Sequence, residues 1–282
     1  MQTENELKEM VRQKYSEIAL QDKATNQASC CGAGGCSTEV YNIMSDDYTT
    51  LEGYNPDADL GLGCGLPTEF AKIKEGDTVI DLGSGAGNDC FIARKLTGEK
   101  GKVIGIDFTT AMIDKARANA EKIGFHNVEF RQGDIENMPV TSGIADVVVS
   151  NCVLNLVPNK AAVVNEIFRI LKPGGHFSIS DIVLEGELPA KWKEVAELYS
   201  GCVSGAIQKQ VYLDLIEATG FKNITLQKDK PIIIPDDILS NHLSAEEIKE
   251  YKTGHTKLTS VTVYAEKPVT EKAACCKPGC CN

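Results

Sequence analysis

Positive charge is scarce in this chain. Twenty-nine lysines and arginines face forty aspartates and glutamates, a formal net charge of −11 over 282 residues. An acidic chain repels phosphate backbones, and no local basic patch offsets the balance, so nucleic acid is not an expected partner. No run of 18 apolar residues occurs, which leaves no candidate membrane-spanning helix. The opening MQTENELKEM lacks the basic-then-apolar order of a secretory signal. A soluble, cytoplasmic protein with no membrane partner is the expectation. Internal repeats are also absent. Apolar residues at 42% suffice for a proper core, and the length suits one large domain with appendages.

Cysteine is the residue in excess. Eleven thiols exceed what a reducing compartment normally shows, and a chain this long does not need disulfides to compensate for a small core. Soft-ligand or redox chemistry is the better reading. Three regions follow from the pattern. Residues 1–66 hold an amphipathic helix over Asn5 to Leu20 and a Cys/Gly-rich segment around Cys30, Cys31 and Cys36. Residues 67–268 alternate strands and helices, which predicts a parallel, doubly wound α/β sheet, with 185–212 as a cap on the substrate side. Residues 269–282 form a short Cys-rich tail.

In the central region, strands are expected at Thr78 to Leu82, Lys102 to Asp107, Val128 to Gln132, Asp146 to Ser150 and His176 to Leu184, with two later ones at Asn223 to Lys228 and Ser260 to Lys267. Helices are expected at Asn88 to Leu96, Thr109 to Ile123, Asn159 to Leu171, Pro189 to Tyr199 and Lys209 to Thr219. The turn after the first strand reads Asp81-Leu82-Gly83-Ser84-Gly85-Ala86-Gly87. It fails the G-x-G-x-x-G dinucleotide pattern, because Asn88 stands at the last position. A carboxylate at Asp81 would repel a pyrophosphate and attract the ammonium of S-adenosylmethionine. Asp107, with Phe108 beside it, ends the second strand where a carboxylate can accept ribose hydroxyls. Asp134 and Ile135 follow the third strand and suit an adenine edge and face, while Asn151 follows the fourth and is assigned to the cofactor as well. Together these residues resemble the class I S-adenosylmethionine-dependent methyltransferases. The resemblance implies a Rossmann-like, seven-stranded, mostly parallel sheet.

Three cysteines fall where a substrate would sit. Cys152 follows the fourth strand, Cys202 lies in a Gly-flanked turn after the fifth, and Cys64 precedes the sheet in a Gly-rich segment expected to leave its thiol unshielded. Three thiolates suit a soft centre such as arsenic(III), whose lone pair needs no general base. None of the four histidines, His126, His176, His242 and His255, lies near these motifs. Cys90, at a helix start, reads as a small buried side chain.

The segments Gly63-Cys64-Gly65-Leu66, Asp89-Cys90, Gly105-Ile106-Asp107, Ser150-Asn151-Cys152-Val153 and Cys202 with Gly205-Ala206 resemble the arsenite methyltransferases more narrowly. That resemblance implies arsenite or methylarsenite as substrate, arsenic on Cys152 and Cys202, and Cys64 as third ligand and disulfide partner. It implies thioredoxin or glutathione as the reductant that resets the enzyme. A fourth catalytic cysteine is assigned to Cys36, with Cys31 as the alternative. The chain departs from eukaryotic relatives in carrying Gly201 where they have an acidic residue. Two competing readings are a methyltransferase for a small organic acceptor such as a quinone, and a thiol-based metalloid-binding protein. Zinc held by the terminal cysteines would require an improvised ligand set. Cys275, Cys276, Cys280 and Cys281 make the tail a candidate soft-metal arm.

Overall fold

A computed structural model describes residues 3–21, 46–188, 203, 205–234, 236–240 and 243–269. Within them α1 (Glu4–Ala19) is followed by α2 (Pro67–Phe70), β1 (Thr78–Leu82), α3 (Asn88–Thr97), β2 (Lys102–Asp107), α4 (Thr110–Ile123), β3 (Val128–Gln132) and β4 (Ala145–Asn151). A 3-10 turn at Leu154–Leu156 leads to α5 (Lys160–Ile170), β5 (Leu171–Glu185), α6 (Lys209–Ala218) and β6 (Lys222–Ile232). The short helices α7 (Asp236–Ser240) and α8 (Ala245–Thr253) precede β7 (Lys257–Glu266). The expected helix over Pro189 to Tyr199 lies outside the described residues. No helix among the described residues is long and apolar enough to cross a membrane.

The seven strands form one sheet in the order β3-β2-β1-β4-β5-β7-β6, all parallel except β7, which runs antiparallel to β5 and β6. The inner strands explain themselves. β1 (TVIDL) and β4 (ADVVVSN) are almost wholly buried, as β-branched runs covered on both faces should be. Outermost β6 is half exposed and carries Lys228, Lys230 and Pro231, residues suited to blunting a sheet edge. Helix ends follow local chemistry. Thr3 and Glu6 cap α1 reciprocally, and Gly124 ends α4 in the left-handed conformation.

Element positions largely agree with the sequence reading, but α2 was not foreseen, β7 begins at Lys257 instead of Ser260, and three further differences stand out. β5 begins at Leu171 instead of His176, because Leu171 already pairs with Ala145 and the Lys172-Pro173-Gly174-Gly175 turn becomes an irregularity within the strand. β6 runs on to Ile232, held by its ladder to β7. The helices α7 and α8 were not foreseen. Strand order reverses between β1 and β4, which opens a crevice at the carboxyl ends of the parallel strands.

One buried polar group stands out in the core. Asp181 on β5 is wholly buried, and its Oδ1 accepts the Ile182 amide at 2.9 Å. Its Oδ2 has no hydrogen-bond partner. Burial pushes this carboxyl up to about 7, against the pull of the Ile182 amide and the Lys160 charge. An unfolded aspartate titrates near ~3.9, so between the two values the folded chain holds the extra proton. Stability from this group is therefore full below about pH 4 and is lost as pH rises through about 7. Asp181→Asn removes the dependence. The stability difference between variant and wild type should shift in the variant's favour from pH 5 to pH 8 by on the order of 1–3 kcal/mol, read from denaturant midpoints. A difference independent of pH would contradict the assignment.

Candidate active site

All nine residues assigned to a cofactor from sequence line one cavity at the carboxyl edge: Asp81, Gly83, Ser84, Gly85, Asp107, Phe108, Asp134, Ile135 and Asn151. The β1–α3 turn builds one wall. Gly83 has φ +66°, and a Cβ there would lie 2.4 Å from Val153 Cγ2. Gly85, at φ +51°, has nothing within 4 Å of where a Cβ would be. That backbone is left bare to the cavity. The Gly85 amide donates to Asp107 Oδ2 at 3.0 Å and the Thr109 amide to Oδ1 at 2.8 Å. Each oxygen of this buried carboxylate therefore keeps a lone pair for a ligand. Burial raises the Asp107 pKa, opposed by those two amides.

The charge balance of the lining is lopsided. Asp59, Asp81, Asp89, Asp107 and Asp134 line the cavity, and Lys8 is the single cation among the described lining residues. Asp81 is held well above the usual carboxylate range by burial and then by the Asp89 charge, although the Cys90 thiol donates to its Oδ2 at 3.2 Å. Burial pushes Asp89 up to about 6 against hydrogen bonds from Tyr48, Asn151 and Thr68. A cationic ligand placed among these carboxyls would favour their ionisation. Cys90 is buried as expected.

Asn151 was assigned to the cofactor, and it does line the cavity, yet its amide is engaged with protein. Its Oδ1 accepts the Cys64 amide at 3.0 Å. Its Nδ2 donates to Gly65 O at 2.8 Å, to the Tyr48 hydroxyl, and weakly to Asp89 Oδ2 at 3.4 Å. Tyr48 in turn donates to Asp89 Oδ2 at 2.8 Å.

This knot corrects the expectation that the glycines leave Cys64 unshielded. Cys64 is 0% exposed. A Cβ on Gly63 would sit 2.6 Å from Asn151 Nδ2, and one on Gly65 would sit 2.5 Å from Ser180 Oγ. The flanking glycines thus let the segment pack inward.

Cys152 leaves β4 at φ +60°, and its amide donates to Ser180 O at 2.8 Å. It is buried and lines the cavity. Cys64 lies behind that lining, but Cys64, Cys152, Leu156, Ile182 and Val203 belong to one apolar cluster. Cys64, Cys90 and Cys152 are all thiols. Cys202, Cys36 and Cys31 lie outside the described residues, as do the tail cysteines Cys275, Cys276, Cys280 and Cys281.

Lys8, Tyr48 and Asp59 line the cavity without having been singled out in the sequence, and Asp89 was read only as part of the Asp89-Cys90 motif. Lys8, Val11 and Tyr15 share a helical face, a spacing that was legible, but nothing in it names the surface that the face covers. Asp89 sits in the first turn of α3, a place where an acidic residue is ordinary. Tyr48 carries no local signal.

The strand order, the bare glycine turn and the carboxylates at successive strand ends are those of the class I methyltransferase fold. A model of a methyltransferase domain matches residues 73–220. The chain is 37% identical to an arsenite methyltransferase of Halobacterium salinarum over 94% of its own length and 68% of that relative. It is 34% identical to the arsenite methyltransferase of Mus musculus, covering 94% and 69%. The crystal structure of an arsenic(III) S-adenosylmethionine methyltransferase from Chlamydomonas reinhardtii superposes with a TM-score of 0.63 at 31% identity, covering 85% of this chain and 76% of that one. This chain belongs to the arsenite methyltransferase family.

Asn151→Ala tests the knot. Loss of its bonds to the Cys64 segment should loosen local structure by about 1–3 kcal/mol. The labelling rate of Cys64 by a thiol reagent, followed by peptide mass mapping, should rise at least about tenfold. An unchanged rate would mean that the segment is held elsewhere.

Proposed function

We propose that this chain methylates trivalent arsenic, with S-adenosylmethionine in the carboxyl-edge cavity and arsenite or methylarsenite held by Cys64, Cys152 and Cys202. The observation that carries the reading is the position of Cys152, which lines the cavity and also shares a buried cluster with Cys64 and with Val203, the residue after Cys202. The lining fits the cofactor. Ser84 Oγ is buried with no hydrogen-bond partner, Gly85 is bare, and five aspartates line a cavity that would take a ligand carrying a sulfonium and an ammonium. Asp107 would accept the ribose hydroxyls, Asp134 the adenine amine, Asp81 the ammonium, and Ile135 would cover the base.

S-adenosylmethionine supplies a methyl group on a sulfonium, and transfer of that methyl to the arsenic lone pair leaves a neutral thioether. The protein's part is placement. Each thiol that replaces an arsenic hydroxide releases one water, which carries away the thiol proton, so no general base is needed. Holding nucleophile and methyl donor in line contributes up to about 7–11 kcal/mol.

Methylation raises arsenic formally to the pentavalent state. Oxidation of two cysteine thiolates to a disulfide, Cys64 being one partner, returns the two electrons. Thioredoxin or glutathione then reduces the disulfide, with Cys36 as the relay cysteine. Such a cycle suits the reducing cytoplasm. Residues 1–66 and 269–282 are proposed as appendages to a methyltransferase domain over 67–268, with 185–212 roofing the substrate. The tail cysteines are a candidate soft-metal arm outside the catalytic cycle.

The test is incubation of purified protein with isotopically labelled S-adenosylmethionine, a thiol reductant and arsenite, with chromatographic detection of methylated arsenic. Wild type should produce it, and Cys152→Ser and Cys202→Ser should abolish it. Truncation after Pro268 should leave turnover intact. Methyl transfer to a quinone alone would overturn the reading, and arsenite binding without turnover would assign the chain to metalloid binding.

A further inference from the structure

Among the carboxylates of the cavity, the Lys8 cation is the exception. Its Nζ donates to Asp134 Oδ2 at 2.7 Å and also to a carboxylate oxygen of Glu136. The Glu136 amide donates to Asp134 Oδ1 at 2.9 Å. Both oxygens of Asp134 are therefore fixed in direction, and the repulsion between two acids two residues apart is neutralised. The lysine side chain is 25% exposed. Burial alone would lower its pKa, but the two carboxylates outweigh that and raise it.

Lys8 also sets the position of α1. The carboxyl end of α1 is rooted in the core through Ile18 and Ala19, and Lys115 Nζ donates to Ala19 O and Gln21 O at 2.9 Å each. The amino half lies across the cavity, with Lys8 and Val11 in the lining and the Arg12 guanidinium 5.4 Å from the Phe108 ring centre. Lys8 supplies the ionic tie between this half and the β3 end of the sheet.

We propose that Lys8 is a positioning residue of the cofactor site. It orients Asp134 as the acceptor for the adenine amine and latches α1 across the adenosine half, so that cofactor and product exchange require the Lys8 fork to open. This rests on the cofactor reading above. An ionic latch at a partly exposed site weakens with salt, because mobile ions screen it.

The experiment measures the dissociation rate of S-adenosylhomocysteine from the full chain by chase with unlabelled ligand, at low and high ionic strength. Lys8→Met should speed exit about tenfold at low salt and flatten the salt dependence seen in wild type. Lys8→Arg, which keeps the charge, should restore exit to within about threefold and keep the salt dependence. A merely structural lysine would leave the salt slope unchanged. Wild-type binding with the same exit rate and salt slope in Lys8→Met would overturn the latch alone. A wild-type chain that binds no S-adenosylhomocysteine would overturn the cofactor reading and the latch with it.

Discussion

One side-chain amide ties the two halves of the site together. Asn151 stands at the last position of β4, where the strand order reverses, and it grips the backbone on both sides of Cys64 while reaching Tyr48 and Asp89. The grip is short because Gly63 and Gly65 present no Cβ toward Asn151 and Ser180. Without it, the segment before α2 would keep the Tyr48 hydroxyl on Gly65 O, the Ser260 hydroxyl on Cys64 O and its apolar contacts, but would lose the side chain that joins it to the end of β4. With it, Cys64 is fixed against the edge of the sheet that carries Cys152. Asn151 thus acts on the cavity through the protein's own backbone as much as by facing it.

The same knot reaches the electrostatics of the cavity. Asp89 accepts from Tyr48, Thr68 and Asn151, and burial still holds its pKa far above an ordinary aspartate. Asp81 is burdened further by the Asp89 charge. Desolvation of several acids in one place is unfavourable when the cavity is empty and is relieved by a cation of matching shape. The lining therefore selects positive ligands before any specific hydrogen bond is considered. Lys8 satisfies the outermost acid, Asp134, and leaves Asp81, Asp89 and Asp107 facing inward.

Much of this arrangement was legible in the amino-acid order. Strand and helix periods located the five parallel strands, and the rule that ligands bind at carboxyl ends picked out Asp81, Asp107 and Asp134 without knowledge of any contact. What the order concealed was long-range packing. The glycines beside Cys64 carry the same letters whether a loop is open to solvent or pressed onto a strand, and the partners that decide, Asn151 and Ser180, lie 86 residues or more away. Lys8 meets Asp134 across 126 positions and Tyr48 meets Asp89 across 41. The helices α7 and α8 went unread because their few apolar residues form no sustained stripe. The extra length of β5 and β6 came from pairing partners, which local propensity does not contain.

Cys152 shows how strain and chemistry coincide. Its φ of +60° lies in the left-handed region, which disfavours any residue with a Cβ by roughly 1–2 kcal/mol, and glycine would relieve that. The Cys152–Ser180 backbone bond and the packing around Leu156 and Ile182 hold the conformation in place. The turn lets the chain leave β4 abruptly, so that consecutive residues do different work. Asn151 locks the Cys64 segment, Cys152 borders the cavity and the apolar cluster together, and Val153 packs where Gly83 has no side chain. A relaxed strand would alternate these side chains between two faces of the sheet. The kink instead gathers all three at one edge of the cavity, where Cys152 borders both the cavity and the apolar cluster that holds Cys64.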